Sequence, residues 1–199
     1  MGFKQFIRSL VRDVSNSVSG VTKKYELVPE DRIEGRAFSA KAEPMTLFRI
    51  RALIDIPRHN VKAGDMGGYI ESTDCLPDKG DCWVGGNARI SKNARVLDNA
   101  LVTDEARLVQ SARAMGNSIV CGHSELNQWS VAAGSARIEG RSSMTWHSRA
   151  DGNARLQSGH LLRNTRVGGN SIVSGEAPLS DKDQAAEDRL FEEDPIYKK

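Results

Sequence analysis

"GNARISKNARVLDNALVTDEARLVQSARAM", residues 86–115, places alanine at 88, 94, 100, 106 and 112, with an apolar residue two positions after each. A spacing of two puts both residues on the same side of a β-strand. Gly, Asn or Asp precedes many of the pairs, and these residues tolerate the left-handed backbone of a tight turn. Each hexad therefore reads as one short strand plus one corner. Such units bury nothing alone and must stack, which predicts a solenoid.

The register extends well beyond this stretch. The small position runs from Cys82 and Ala88 through Ser118, Ser124, Ser130 and Ala154 to His160, and only His160 breaks it. The apolar position runs from Val84 to Leu162 without exception. After Leu162 the phase slips back by one residue and continues as Thr165/Val167, Ser171/Val173 and Ala177/Leu179. Every third apolar position falls into one column: Val84, Val102, Val120, Ile138, Leu156; then Ile90, Leu108, Leu126, Met144, Leu162; then Val96, Ala114, Ala132, Ala150. The three central alanines share a column. An 18-residue coil with three sides predicts this segregation, because residues 18 apart stack directly. The expected fold is all-β, a single parallel β-helix of five to six coils.

Composition agrees. The 199 residues hold 18 glycines and only 6% aromatics, which suits short strands and many corners. Cys75, Cys82 and Cys121 are odd in number and lack CxxC spacing, arguing against a disulfide framework or a zinc site and for a reducing, cytoplasmic setting. The formal charge of +2 is too mild for nucleic-acid binding read on charge alone. No stretch approaches the roughly 20 apolar residues of a membrane span.

Four regions follow: 1–20, 21–81, 82–179 and 180–199. In the first, Phe3, Phe6, Ile7, Leu10, Val11 and Val14 form one apolar stripe at helical spacing, which predicts a helix that docks on its own protein, on a partner or on a membrane surface. Residues 21–81 read as a β-rich cap: "LFRIRALIDI" (47–56) alternates, and Gly67-Gly68 reads as a tight turn before a short strand. The last twenty residues are acidic and read as a solvated tail.

The repeat, with its [STAV]-x-[LIV] hexads, resembles the hexapeptide-repeat β-helix proteins. That resemblance implies a left-handed coil and, commonly, a trimer packed side to side. "KYELVPED", "LFRIRAL", "VKAGDMGGYIES" and "GDCWV" resemble the lead-in of a poorly characterised subgroup in bacteriophages, prophages and bacteria. The resemblance spans roughly residues 24–175. It implies a phage-type structural or binding module, in the cytoplasm or in a phage particle.

The residue between each inward pair points outward, and these positions also form columns. The third side carries Arg95, Arg113, Val131, Arg149 and Arg166, a candidate face for an anionic partner, since Arg suits bidentate contacts. The second begins with Arg89, Arg107 and Glu125. The first begins with Trp83, Leu101 and Ile119, expected as an exposed apolar strip that the N-terminal helix, the cap or another subunit covers. For catalysis the alternative reading is an acyltransferase with His147 or His123 as general base; within the resembled family such a histidine lies at a subunit interface. Trp129 precedes His147 by one coil and is expected to stack beside it at a corner. The spread of His123, His147 and His160 over different sides or coils gives no metal site, and no cofactor is implied.

Overall fold

The computed structural model describes residues 22–36, 44–158, 160–161, 164–175 and 178–179. The helix expected over residues 1–20, with Phe3, Phe6 and Leu10, and the acidic segment 180–199 lie outside the described residues.

The hexads form two- and three-residue strands on three faces. The first face stacks six strands, from Trp83–Val84 through Leu101–Val102, Ile119–Val120, Arg137–Glu139 and Arg155–Gln157 to Ile172–Ser174. The second face runs from Arg89–Ile90 through Arg107–Leu108, Glu125–Leu126, Ser143–Met144 and His160–Leu161 to Pro178–Leu179. The third stacks Arg95–Val96, Arg113–Ala114, Val131–Ala132, Arg149–Ala150 and Arg166–Val167. Pairing is parallel, with Val84 opposite Val102 and Ile119 opposite Arg137, a step of one 18-residue coil. The protein is a parallel β-solenoid, each coil about 4.8 Å above the last.

The inward columns build the core. Ile90, Leu108, Leu126 and Met144 from the second face, with Val102, Val120 and Ile138 from the first, are fully buried against Ala114, Ala132 and Ala150 of the third. Large side chains from two faces fill the section, so the third must be small to keep packing dense. At three of the positions where serine replaces alanine the hydroxyl turns to a carbonyl: Ser118 donates to Ala132 O at 3.3 Å, Ser124 to Cys121 O at 2.7 Å and Ser142 to Leu156 O at 3.1 Å, whereas the buried Ser130 and Ser148 hydroxyls find no partner among the described residues. Such bonds offset the cost of burying a hydroxyl.

One coil departs from the register read in the sequence. Ser143 pairs with His160 and Met144 with Leu161, a step of 17. The missing residue therefore falls between Gln157 and His160, one hexad earlier than the apolar pattern suggests. His160 stands at an outward position, and Leu161, fully buried, takes the inward place that the sequence pattern assigns to position 162. A corner absorbs the deletion because a slip within a strand would turn its apolar residue to solvent.

The cap continues the second face. Strands β1 (Tyr25–Arg36), β2 (Pro44–Ala52) and β3 (Met66–Ile70) are antiparallel to one another, and β3 then pairs in parallel with Arg89–Ile90. Their buried residues, including Ile50, Ile70 and Leu76, join the solenoid core in one cluster. Gly67 and Gly68 lie inside β3, not in a turn. A Cβ on Gly67 would stand 2.5 Å from Ile50 Cγ1 and 2.6 Å from Val84 O, so the pair is there for close approach to the first coil.

Of the covers expected for the apolar strip, the cap lies over its start, against Trp83 and Leu101. Trp83 is only 2% exposed, and Leu101 and Ile119 are half-buried. The 3-10 turn Pro57–His59 reaches over this face, where the His59 ring bonds Asn99 O at 3.1 Å and Arg58 pairs with Asp81 at 3.5 Å. Lys24 anchors the cap from the other side. It is 1% exposed, and its ammonium donates to Gly80 O and to Cys82 Sγ, each at 3.2 Å. Burial pushes the Cys82 thiol's pKa up, and the neighbouring ammonium offsets part of that rise.

Candidate functional site

The arginine column of the third face is not uniform. Arg149 and Arg166 both reach Asp151 Oδ2 at 2.7 Å, and that carboxylate is 13% exposed. Two of the expected partner-binding guanidiniums are therefore held within the fold on one shared carboxylate, which offsets one of their two charges. Arg95 and Arg113, stacked one coil apart and exposed, meet no carboxylate among the described residues. Arg89 and Arg107 on the second face are likewise stacked and half-buried without an ion pair.

These four arginines flank one corner, between the second and third faces, where Lys92 adds a further cation. Two carboxylates adjoin the patch. Glu71 accepts the backbone N–H of Lys92, and Glu125 stands opposite Arg107 while accepting from Asn127 Nδ2 at 3.2 Å. Positive charge predominates at this corner of the first two coils.

The same corner differs from the other two in its backbone. The corners between first and second faces turn on single left-handed residues, Gly86, Asp104, Gly122, Gly140 and Ser158. Those between third and first use Asp98, Gly116, Gly134, Gly152 and Gly169. The second–third corner instead places paired non-glycine residues at positive φ: Lys92-Asn93, Gln110-Ser111, Gln128-Trp129 and Trp146-His147. A bond such as Ser130 N to Asn127 O, 3.1 Å, closes each four-residue turn. Left-handed backbone costs an L-residue about 1–2 kcal/mol, and bulky residues rarely adopt it.

Two of those strained positions carry indoles. Trp129 and Trp146 are 51% and 49% exposed. The Trp129 and His147 rings stack as their 18-residue spacing predicts, centroids 5.3 Å apart and planes 7° from parallel. The corner is thus a continuous ridge, cationic at the first two coils and aromatic at the next two.

The catalytic alternative names His147 and His123. A general base needs a partner that orients its ring. His147 makes its stacking contact but no side-chain hydrogen bond, and His123 is exposed at a different corner without one. His160 lies on the second face. No cluster of metal-ligating side chains occurs among the described residues.

A histidine outside the repeat has the more structured surroundings. His59 lines a cavity of about 290 Å³ with Asp65, Trp83, Leu101 and Thr103, where cap and first face meet. Burial lowers the His59 pKa, countered in part by its bond to Asn99 O. Sequence reading passed over it because it stands outside the repeat, with no spacing to mark it.

Among the described residues, no helix is long and apolar enough to cross a membrane. Comparison with protein-family models and with curated proteins found no match.

Proposed function

We propose that this protein is a non-catalytic binding module, a rigid solenoid that presents the second–third corner of its first coils to an anionic partner. The observation that supports this reading is the contrast within the arginine column: Arg149 and Arg166 share Asp151, whereas Arg95 and Arg113 are exposed and meet no carboxylate among the described residues. Exposed guanidiniums held in register on a rigid stack give bidentate acceptors a preformed site and lower the ordering cost of binding. The resemblance to the phage and prophage subgroup favours a structural or assembly protein, and the wider group's habit favours a trimer.

The test is binding of inorganic polyphosphate to the full chain and to the Arg95→Glu/Arg113→Glu variant. The reading expects binding that weakens with salt and at least about tenfold loss in the variant. Equal affinity in the two proteins overturns it. The mass in solution tests the trimer directly.

A further inference from the structure

We propose that the anionic partner is an acidic polysaccharide, its charged groups on the arginines of the first two coils and its sugar rings on Trp129 and Trp146 of the next two. The inference rests on the binding reading above and names the chemistry of the ligand.

The first support is continuity. The corner's two left-handed columns read Lys92, Gln110, Gln128, Trp146 and Asn93, Ser111, Trp129, His147, so the indoles lie on the same ridge that Arg89, Arg95, Arg107 and Arg113 flank from the strands of the first two coils. Backbone bonds tie the rungs, with Trp129 N donating to Gln110 O at 3.1 Å and His147 N to Gln128 O at 3.0 Å.

The second is the chemistry of each rung. His147 covers one face of Trp129, and the rung on the other side holds Ser111, too small to cover an indole. The C–H face of a sugar ring packs on such a surface by the same apolar and quadrupolar attraction that stacks aromatic side chains. Its hydroxyls then meet the side-chain amides of Gln110 and Gln128. A single-stranded nucleic acid calls for cations interleaved with the stacking residues. The strands flanking the indole-bearing corners begin with Glu125, Val131, Ser143 and Arg149, and the one cation among these, Arg149, is paired with Asp151.

The third is strain. The fold has no need of Trp or Gln in left-handed backbone, since its other corners make their turns with Gly, Asp and, at 158, Ser. Bulky residues retained at unfavourable φ point to a use beyond folding.

The test compares ligands with and without rings. Full-length protein and the Trp129→Asn/Trp146→Asn variant are titrated with inorganic polyphosphate and with polygalacturonate, alginate, hyaluronan and chondroitin sulfate, and binding is read by tryptophan fluorescence and by affinity electrophoresis. The inference expects at least one acidic glycan to quench indole fluorescence and to bind the variant roughly tenfold more weakly, with polyphosphate affinity unchanged. Four results overturn it. If glycan affinity is equal in the two proteins while polyphosphate binds, charge alone is recognised, and the binding reading survives. If polyphosphate binds and no glycan does, the inference falls by itself. If the variant dissociates an oligomer that the wild type forms, the indoles are a subunit contact. Absence of all binding, polyphosphate included, removes the binding reading and this inference together.

Discussion

Two of the solenoid's corners and the third do the same mechanical work with different residues. At the first–second and third–first corners the chain turns on Gly122, Gly140, Gly134 and their neighbours in the stack, where left-handed backbone costs least. At the second–third corner it turns through Gln128-Trp129 and Trp146-His147, where the same conformation costs most. The comparison separates what the coil demands from what it carries. The corners shaped by the coil alone use Gly, Asp and Ser at the left-handed position, and the indoles kept in strained backbone at the other corner support the binding proposed for it.

The largest expected effect is at a glycine corner. Gly122 has φ +71°, and a Cβ there would stand 2.6 Å from Gly140 O. Gly122→Val should cost about 3 kcal/mol, combining left-handed strain for a β-branched residue with displacement of the next coil. Urea unfolding measures it, and a cost under about 1 kcal/mol would erase the contrast. Gln110→Gly should act in the opposite direction. Gln110 is exposed at φ 52°, so glycine relieves strain without losing packing, for a gain of about 0.5–1 kcal/mol after its extra unfolded-state entropy. A loss on that substitution would mean that the paired turns are not strained.

Trp129→Asn and Trp146→Asn should each change stability by less than about 1 kcal/mol, because relief of left-handed strain offsets the lost stacking and burial. Differential scanning calorimetry distinguishes this near-neutrality from the several kcal/mol expected of an indole embedded in a core.

The smallest effect is a pH dependence at a glycine corner. A hydrogen bond from Arg137 holds the Glu139 carboxyl below the usual carboxylate range. The folded value is depressed, so this stabilisation is fully present above the unfolded pKa of about 4.3 and is lost as pH falls through the folded value. Both side chains are partly exposed, so the effect is modest. Glu139→Gln should flatten the acid limb of the stability curve; an unchanged limb would assign that limb to other carboxylates.

The repeat was legible because its period is set by geometry: a strand of fixed reach, a corner and a threefold return leave few alternatives. The segregation of Ala114, Ala132 and Ala150 even indicated which face must be small. The deletion was misplaced by one hexad because Leu161 and Leu162 are both apolar, and either satisfies the pattern. Trp83 looked exposed because the alternation gives its direction, while the cap that covers it comes from Gly67 and His59, which no spacing links to the repeat. The sharing of Asp151 by Arg149 and Arg166 was hidden for a related reason. It requires a carboxylate two residues along one strand to meet a guanidinium from the 17-residue coil. The left-handed backbone of Trp129 and Trp146 left no trace, since neither residue favours such a turn. The aromatic pair itself was legible, because one coil separates Trp129 from His147.

The 17-residue coil has a consequence of another kind. A residue was removed at a corner, yet Arg166 still pairs with Arg149 and Ile172 with Arg155, so the disturbance ends within the coil where it arose. A rod with that tolerance has a length graduated in coils of about 4.8 Å. Whole coils gained or lost would shift the far end away from or toward the cap while leaving each face's displayed chemistry intact. Reach and recognition are then separately adjustable within one chain.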